Sequence, residues 1–163
     1  MRQRLTLGER LDQAWRTWHH ALDGLDDADF ELTVYRQWSL KDIVGHVFSY
    51  LDLAVRNLRS YKKRKRLASP RAPSYSYYNR RETERLRRVS LDRLRADLDA
   101  AHAALCELLP TLTDEDLRQV FPAQWQNSNY HTTLRTMLRE TAEHLTIHAV
   151  DIENWRRRQY VGK

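Results

Sequence analysis

Four stretches of the sequence repeat apolar residues every three or four positions, which is the spacing of an α-helix that buries one face. Together with the start and stop signals around them, they predict helices over about residues 6–24, 39–60, 79–109 and 130–157. Four long helices joined by long links predict an all-α four-helix bundle with crossover connections.

Local signals mark several of these helix ends. Thr6 with Glu9 three residues later forms a capping box, so the first helix is expected to begin there and to end at Gly24. Asn79 is expected to cap the third helix, and Pro110 is expected to stop it. These signals depend on local chemistry alone, so they set the helix ends before any packing is considered.

The second helix has the clearest start in the chain. Ser39 is expected to be its N-cap, with Asp42 at the third helical position as a shorter version of the capping box. Trp38, just before the cap, can pack on Ile43 as in a hydrophobic staple. His46 lies one turn beyond Ile43 and therefore borders the inner face of this helix.

The links are expected to be irregular over residues 25–38, 61–78 and 111–129, apart from extended residues at Leu32–Tyr35 and a short turn at Thr113–Leu117. The first and third links carry a similar run of apolar and acidic residues at the same distance before a tryptophan. Each also follows one long helix and leads to another that carries histidine. This suggests a duplicated helix pair, as one hypothesis.

Length and composition fit one folded domain without disulfide bonds. The chain has 163 residues, 41% of them hydrophobic, so residues 1–163 are predicted to form a single bundle domain. Cys106 is the only cysteine, and we interpret it as a small core residue in preference to a catalytic thiol. No signal-peptide run or membrane-spanning stretch is visible, so a cytoplasmic protein without membrane contact is expected.

Two histidines interrupt the apolar stripe of the last helix. His144 and His148 are four residues apart, so they share one face, and that face is the one expected to point inward. Buried imidazoles need polar partners, and one metal ion satisfies both. Metal sites in helical bundles use side chains from facing helices, so His46 on the second helix is a candidate third ligand.

Several segments resemble a known protein superfamily. Residues 38–46, with Trp-Ser-x-x-Asp leading to His46, resemble the second-helix entry of the DinB/YfiT-like superfamily, and His144 with His148 resembles its last-helix His-x-x-x-His. Residues 112–117 and 151–155 resemble the ClbS/DfsB-like branch of that superfamily. The resemblance spans nearly the whole chain.

The resemblance implies an up-down-down-up four-helix bundle that often forms homodimers. It also implies a divalent metal ion held by His46, His144 and His148. Members include thiol-dependent S-transferases, a mycothiol-dependent isomerase and hydrolases that disarm a genotoxic metabolite, whereas parts of the ClbS-like branch work without a metal. We therefore expect a metal-dependent hydrolase or thiol-dependent transferase that acts on a small molecule, with a role in detoxification.

Three neutral imidazoles leave coordination positions open on a divalent ion, which can then activate a water or a thiolate. No catalytic side chain is assigned. Zn²⁺ and Ni²⁺ are the preferred ions, Fe, Co and Mn are also compatible, and a low-molecular-weight thiol is a candidate second cofactor. Glu140 and Asp151 lie one turn from the histidines and are candidates to fix their tautomers. Glu143 adjoins His144 but points about 100° away.

Two other readings of the sequence stay open. One is a non-catalytic bundle that binds a ligand or a partner. The other is a nucleic-acid-binding protein, because the formal net charge is +6 and a long basic stretch could contact phosphates. The basic stretch comprises Arg56, Arg59, Lys62, Lys63, Arg64, Lys65, Arg66, Arg80, Arg81, Arg85, Arg87 and Arg88. No nucleic-acid-binding motif accompanies it, so this function is disfavoured.

Other residues are weaker candidates. The aromatic residues that could wall a pocket above the metal are Trp15, Trp18, Tyr50, Trp125 and Trp155. The tyrosines of the second link, which could cover a ligand, are Tyr75, Tyr77 and Tyr78. The remaining histidines, His19, His20, His102 and His131, are interpreted as surface or boundary residues, with His131 near the mouth of the site.

Overall fold

The computed structural model describes residues 5–68, 72–122 and 131–161. The helices are α1 (Leu7–Leu22), α2 (Leu40–Arg64), α3 (Tyr75–Leu86), α4 (Leu91–Leu108), α5 (Asp114–Arg118) and α6 (Leu134–Val161). The strands are β1 (Thr33–Tyr35), β2 (Trp38–Ser39), β3 (Val120–Pro122) and β4 (His131–Thr133). They form two separate antiparallel pairs, β1 with β2 and β3 with β4.

Contacts between helix ends give the directions of the four long helices. Arg156 near the end of α6 donates a 2.8 Å hydrogen bond to the carbonyl of Ala21 near the end of α1, so these helices run in parallel. Lys62 near the end of α2 donates to Thr111, just beyond α4, at 2.7 Å, so α2 and α4 also run in parallel.

The two parallel pairs run in opposite directions. Asn57, in the second half of α2, contacts Met137 at the start of α6, which makes α2 and α6 antiparallel. The predicted up-down-down-up four-helix bundle is therefore confirmed. The largest fully buried side chains include residues from all four long helices, namely Trp18, Leu40, Ile43, Leu51, Leu58, Leu94, Leu105, Leu134, Leu145 and Ile152. Among the described residues, no helix is long and apolar enough to cross a membrane.

The predicted caps of the first two long helices are confirmed. Thr6 and Glu9 form the reciprocal capping box of α1, and Gly24 beyond its end has a left-handed φ of 73°. Ser39 and Asp42 form the same box at α2. Each box satisfies backbone N–H groups that the first helical turn leaves without partners, which fixes where the helix begins.

The predicted third helix over residues 79–109 is wrong in one respect, because it is two helices. Ser74, not Asn79, caps α3, and Ser90 starts α4 by accepting a hydrogen bond from the backbone N–H of Arg93. The second link is also shorter than predicted, because α2 continues to Arg64 and α3 already begins at Tyr75.

The last helix also differs at its ends. It begins at Leu134, because residues 131–133 form strand β4, and Thr133 accepts a 3.1 Å hydrogen bond from the backbone N–H of Thr136. It continues to Val161, beyond the predicted end at Arg157. The predicted start at Tyr130 lies outside the described residues.

The first and third links contain the same succession of elements. In the first, a 3₁₀ turn at Asp29–Glu31 precedes β1 and β2, and in the third, α5 precedes β3 and β4. The extended residues predicted at Leu32–Tyr35 and the turn predicted at Thr113–Leu117 are both confirmed. The shared order of elements supports the hypothesis of a duplicated helix pair, but it does not test whether the two halves have a common ancestor.

Asp42 gives a stability prediction. Its carboxylate caps α2 and accepts hydrogen bonds at 2.8 and 2.9 Å from Arg87, just beyond α3. Replacing Asp42 by Asn should lower the free energy of unfolding by about 1–3 kcal/mol, because the buried carboxylate loses its charge-assisted hydrogen bonds from half-exposed Arg87. Urea denaturation measures this. Asp52→Asn, which breaks the more exposed pair with Arg56, should cost under about 1 kcal/mol. Equal losses in the two variants would contradict the prediction.

Candidate metal centre

Three histidines from two helices meet inside the bundle. His46 comes from α2, and His144 and His148 come from α6. The Nε2 atom of His144 lies 2.9 Å from Nε2 of His46 and 3.1 Å from Nε2 of His148. The structure therefore brings together all three residues predicted from the sequence, with one ring nitrogen of each within 4.8 Å of the other two.

Burial keeps these imidazoles neutral. Desolvation, followed by the neighbouring imidazoles, lowers the pKa of His46 to about 2 and that of His144 to about 3. Desolvation also lowers the pKa of His148, although the Asp151 carboxylate acts in the opposite direction. Neutral imidazoles retain a nitrogen lone pair, which is the form that binds metal ions.

Hydrogen bonds alone do not satisfy this arrangement. A neutral imidazole has one N–H, on either Nδ1 or Nε2. If His144 accepts from both neighbours, the Nδ1 lone pair of His148 faces the Asp151 carboxylate at 3.3 Å. If His144 donates, one proton is shared between two acceptors, and any other choice sets two lone pairs or two N–H groups against each other. In addition, Nδ1 of His144 is buried and has no hydrogen-bond partner among the described residues.

A cation at the meeting point of the Nε2 atoms would remove the conflict among those three atoms, while Nδ1 of His144 would still have no partner among the described residues. All three Nε2 lone pairs would then face the ion, and each imidazole would carry its proton on Nδ1. For His148, that places an N–H opposite the Asp151 carboxylate. The donor set of three neutral nitrogens suits a borderline divalent ion such as Zn²⁺ or Ni²⁺.

The separations of the nitrogens also fit one ion. With metal–nitrogen bonds of about 2.0–2.1 Å, two nitrogens lie about 2.9 Å apart at a right angle and about 3.3 Å apart at the tetrahedral angle. The observed separations of 2.9 and 3.1 Å lie within the range that one ion requires.

The three acidic residues near the histidines occupy different positions. The Asp151 carboxylate lies 3.3 Å from Nδ1 of His148, at ion-pair distance although without the alignment of a hydrogen bond, so its charge favours the tautomer with a proton on Nδ1. Glu140 lines the adjoining cavity and is exposed, so it does not orient the ring of His144 through Nδ1. Glu143 pairs with Arg139 at 3.5 Å on the outside of α6, and the prediction that it points away is confirmed.

Aromatic rings surround the triad. Trp38 and Tyr50 lie 4.7 and 5.0 Å from the ring of His46, measured between ring centroids. Helix α3 fixes Tyr50, whose hydroxyl donates a 2.7 Å hydrogen bond to Asn79. Sequence reasoning treated Trp38 as a staple and Asn79 as a cap, so it missed both contacts. The sequence signal that could have indicated the contact between Trp38 and His46 was their separation of eight residues.

A cavity of about 230 Å³ adjoins the triad at His144. Its walls come from α2, α3, β4 and α6, and are more apolar than polar. The residues that line it are Tyr50, Leu53, Ala54, Asn57, Tyr75, Thr132, Met137, Glu140, Thr141 and His144. Asn57 is buried, and its Oδ1 has no hydrogen-bond partner among the described residues, so it can accept one from a ligand.

The other predicted pocket residues have different environments. Trp18 and Trp155 are buried in the core, and Trp15 stacks on His102, so none of these three lines the cavity. Trp125 lies outside the described residues. Thr132, not its exposed neighbour His131, lines the cavity.

The three tyrosines predicted for the second link are in α3 instead. Tyr75 lines the cavity and is 47% exposed, while Tyr77 is 40% exposed. Tyr78 is buried and donates a 2.9 Å hydrogen bond to the carbonyl of Ser49 on α2. Tyr75 is therefore the tyrosine of this group that a ligand in the cavity would meet.

The basic stretch is partly neutralised by the fold. Glu82, for example, pairs with Arg81 at 3.0 Å and with Arg85 at 2.8 Å. The cations of this stretch that pair with carboxylates are Arg56, Lys65, Arg81, Arg85 and Arg87. Pairing these five of the twelve cations weakens the attraction of the stretch for phosphates, and nucleic-acid binding stays an untested alternative.

Comparison with known proteins places this fold and site in context. The sequence profile of the DinB superfamily matches residues 10–152. The chain belongs to the DinB superfamily. This confirms the resemblance drawn from the histidine-containing segments. No curated protein is significantly similar in sequence to this DinB-superfamily chain.

Solved structures share the DinB-like fold at low sequence identity. YfiT from Bacillus subtilis, described as a probable metal-dependent hydrolase with an unusual four-helix bundle topology, has a TM-score of 0.75 and 16% identity over 98% of this chain and 92% of its own. The sibling lethal factor precursor DfsB has a TM-score of 0.76 and 16% identity over 94% of each chain.

A mycothiol-dependent maleylpyruvate isomerase is also similar, with a TM-score of 0.70 and 20% identity over 91% of this chain. The matched region covers only 61% of the isomerase, so this DinB-superfamily chain spans about three fifths of that protein. At these identities the likeness concerns the fold. The reaction has to be argued from the site of this chain.

Proposed function

We propose that this chain is a metal-dependent enzyme in which His46, His144 and His148 hold one divalent cation beside a small-molecule cavity. The observation that carries the proposal is that the Nε2 atoms of two buried imidazoles, His46 and His148, both meet that of half-buried His144, in an arrangement that hydrogen bonds do not satisfy. When bound, a divalent cation supplies Lewis acidity that makes water or a thiol nucleophilic near neutral pH.

The cavity limits the substrate. Its volume of about 230 Å³ is below the roughly 300–1,000 Å³ of pockets for drug-sized ligands, so the enclosed group is small. Leu53, Ala54 and Met137 offer apolar contacts, while the Oδ1 atom of Asn57 accepts a hydrogen bond. The exposed carboxylate of Glu140 stands at this wall, where it can receive a proton from the nucleophile.

Hydrolysis is the reaction that we favour, because water needs no second binding pocket. Thiol transfer is the second candidate, since one structural neighbour is a mycothiol-dependent isomerase and a thiol would have to share this cavity with its acceptor. Homodimer formation, a cytoplasmic location, a detoxifying role and membership of the ClbS/DfsB-like branch stay predictions.

A substrate screen tests the proposal. Protein purified without a histidine tag is loaded with Zn²⁺ or Ni²⁺ and assayed against small esters, amides and lactones, with and without added thiols. The expected result is turnover that needs the metal and falls to background in His144→Asn. Turnover that is undiminished by this change would overturn the proposal, and turnover only with added thiol would favour transfer over hydrolysis.

Asp151 gives a separate prediction for the same site. Its carboxylate faces Nδ1 of His148 at 3.3 Å, so Asp151→Ala should weaken metal binding by about 10- to 100-fold, as measured by titration calorimetry. Glu153→Gln is the matched control, since Glu153 is on the same helix and pairs with Arg157. A wild-type dissociation constant in Asp151→Ala would show that this carboxylate does not position the ring.

A further inference from the structure

A second cluster of potential metal ligands lies between a different pair of helices. Asp12 on α1 and His102 with Cys106 on α4 each place one ligand atom within 4.8 Å of the other two. His102 and Cys106 are four residues apart, so they share one helical face. The histidine triad lies between α2 and α6, so the two clusters have no residue or helix in common.

The two α4 ligands lie close enough for one ion to join them. The Cys106 sulfur lies 3.6 Å from Nε2 and 3.9 Å from Nδ1 of His102, so it sits beside the ring and has to turn towards the lone pair of Nε2 to share an ion with it. With a zinc–sulfur bond of about 2.3 Å and a zinc–nitrogen bond of about 2.0–2.1 Å, a tetrahedral angle places the sulfur and the nitrogen about 3.5–3.6 Å apart, so this turn needs little change in their separation. Asp12 is exposed, so its side chain can rotate to bring a carboxylate oxygen to the same ion.

The ring of His102 is held in place from α1. Trp15 stacks on it with 3.9 Å between ring centroids and only 4° between the planes. Trp15 is held in turn by His19, whose ring centroid lies 4.6 Å from that of Trp15. A ligand whose orientation is already fixed loses little entropy when it binds an ion.

The same surroundings argue against a nucleophilic cysteine. Burial, followed by the charge of Asp12, raises the pKa of the Cys106 thiol, whereas reactive cysteines have a lowered pKa. Desolvation lowers the pKa of His102, which leaves its imidazole neutral. A thiol, a neutral imidazole and a carboxylate together form a donor set typical of zinc sites.

We propose that Asp12, His102 and Cys106 form a second cation site, which binds a thiophilic divalent ion such as Zn²⁺ and links α1 to α4. The site is independent of the proposed enzymatic function. Cys106 is the only cysteine of this chain. Its sulfur therefore gives this site a spectroscopic signature that a site of three histidines lacks.

Cobalt binding tests the site directly. Co²⁺ is added to the metal-free, tag-free protein in a thiol-free reductant, and the near-ultraviolet spectrum is recorded. We expect a sulfur-to-cobalt charge-transfer band that disappears when Zn²⁺ displaces the cobalt, and that saturates at one equivalent in the His144→Asn variant, in which the triad does not compete for cobalt. Cys106→Ser should abolish the band, and His102→Asn or Asp12→Asn should weaken cobalt binding by about 10-fold or more.

Two controls separate this site from its surroundings. Asp99 is a neighbouring acidic residue of α4 that approaches His19 and is not a proposed ligand, so Asp99→Asn should leave the band unchanged. His144→Asn should also leave the band intact, whether or not the triad binds metal. Absence of the band at saturating Co²⁺, or a band that neither His102→Asn nor Asp12→Asn weakens, would overturn the proposal.

Discussion

Replacing His144 by asparagine should abolish metal binding at the histidine triad and leave the helical content near that of the wild type. The Nε2 atom of His144 is the central one, since it lies within 3.1 Å of the corresponding atoms of both His46 and His148. Loss of a residue that only orients a ligand costs about 10- to 100-fold in affinity, so loss of the ligand itself should cost at least about 100-fold. Asparagine keeps a polar group at this position without reaching the meeting point.

The measurement combines metal analysis with circular dichroism, in a Cys106→Ser background so that the second proposed site does not contribute. His131→Asn is the control, because His131 is exposed and lies next to a cavity residue without lining the cavity. Metal content equal to that of the parent protein after His144→Asn would count against the ligand assignment.

The second large effect concerns acid. In the metal-free protein, the free energy of unfolding should fall steeply as the pH decreases below about 6.5. The unfolded chain binds protons at its histidines from that pH downward, while the folded-state pKa values of His46 and His144 are only about 2 and about 3. The unfolded state therefore binds more protons in this interval, so stability is complete above pH 6.5 and is lost as the pH falls.

The size of the effect follows from the proton count. Each such histidine contributes up to about 1.4 kcal/mol per pH unit, so His46 and His144 together should remove about 3–4 kcal/mol between pH 7 and pH 5. Urea denaturation in the presence of a chelator measures this, and stopping at pH 5 keeps most carboxylates ionised. His46→Gln/His144→Gln should show a much flatter profile. Equal slopes in this variant and in the wild type would assign the acid sensitivity to other groups.

Local sequence signals predicted most of the fold. Capping boxes at Thr6 and Ser39 depend on side chains three residues apart, so the sequence alone locates them. The break between α3 and α4 was missed because Leu86, Val89 and Leu94 keep an apolar stripe running across it. The cap at Ser90 interrupts the backbone there without interrupting the stripe.

The candidate site was predictable where it follows helix periodicity. His144 and His148 share a face by spacing, and His46 borders the inner face of α2, so a bundle brings the three together. Contacts that depend on how helices cross were not predictable. The contact of Asp12 with the α4 cluster depends on how α1 and α4 are offset along each other. No pattern within either helix predicts that offset.

Anomalous diffraction from crystals of the zinc-loaded protein tests the central claim most directly. The predicted result is an anomalous peak about 2.0–2.1 Å from the Nε2 atoms of His46, His144 and His148. A fully loaded crystal with no peak at that point, or with one of the three rings turned away from it, would contradict the assignment of these histidines as ligands.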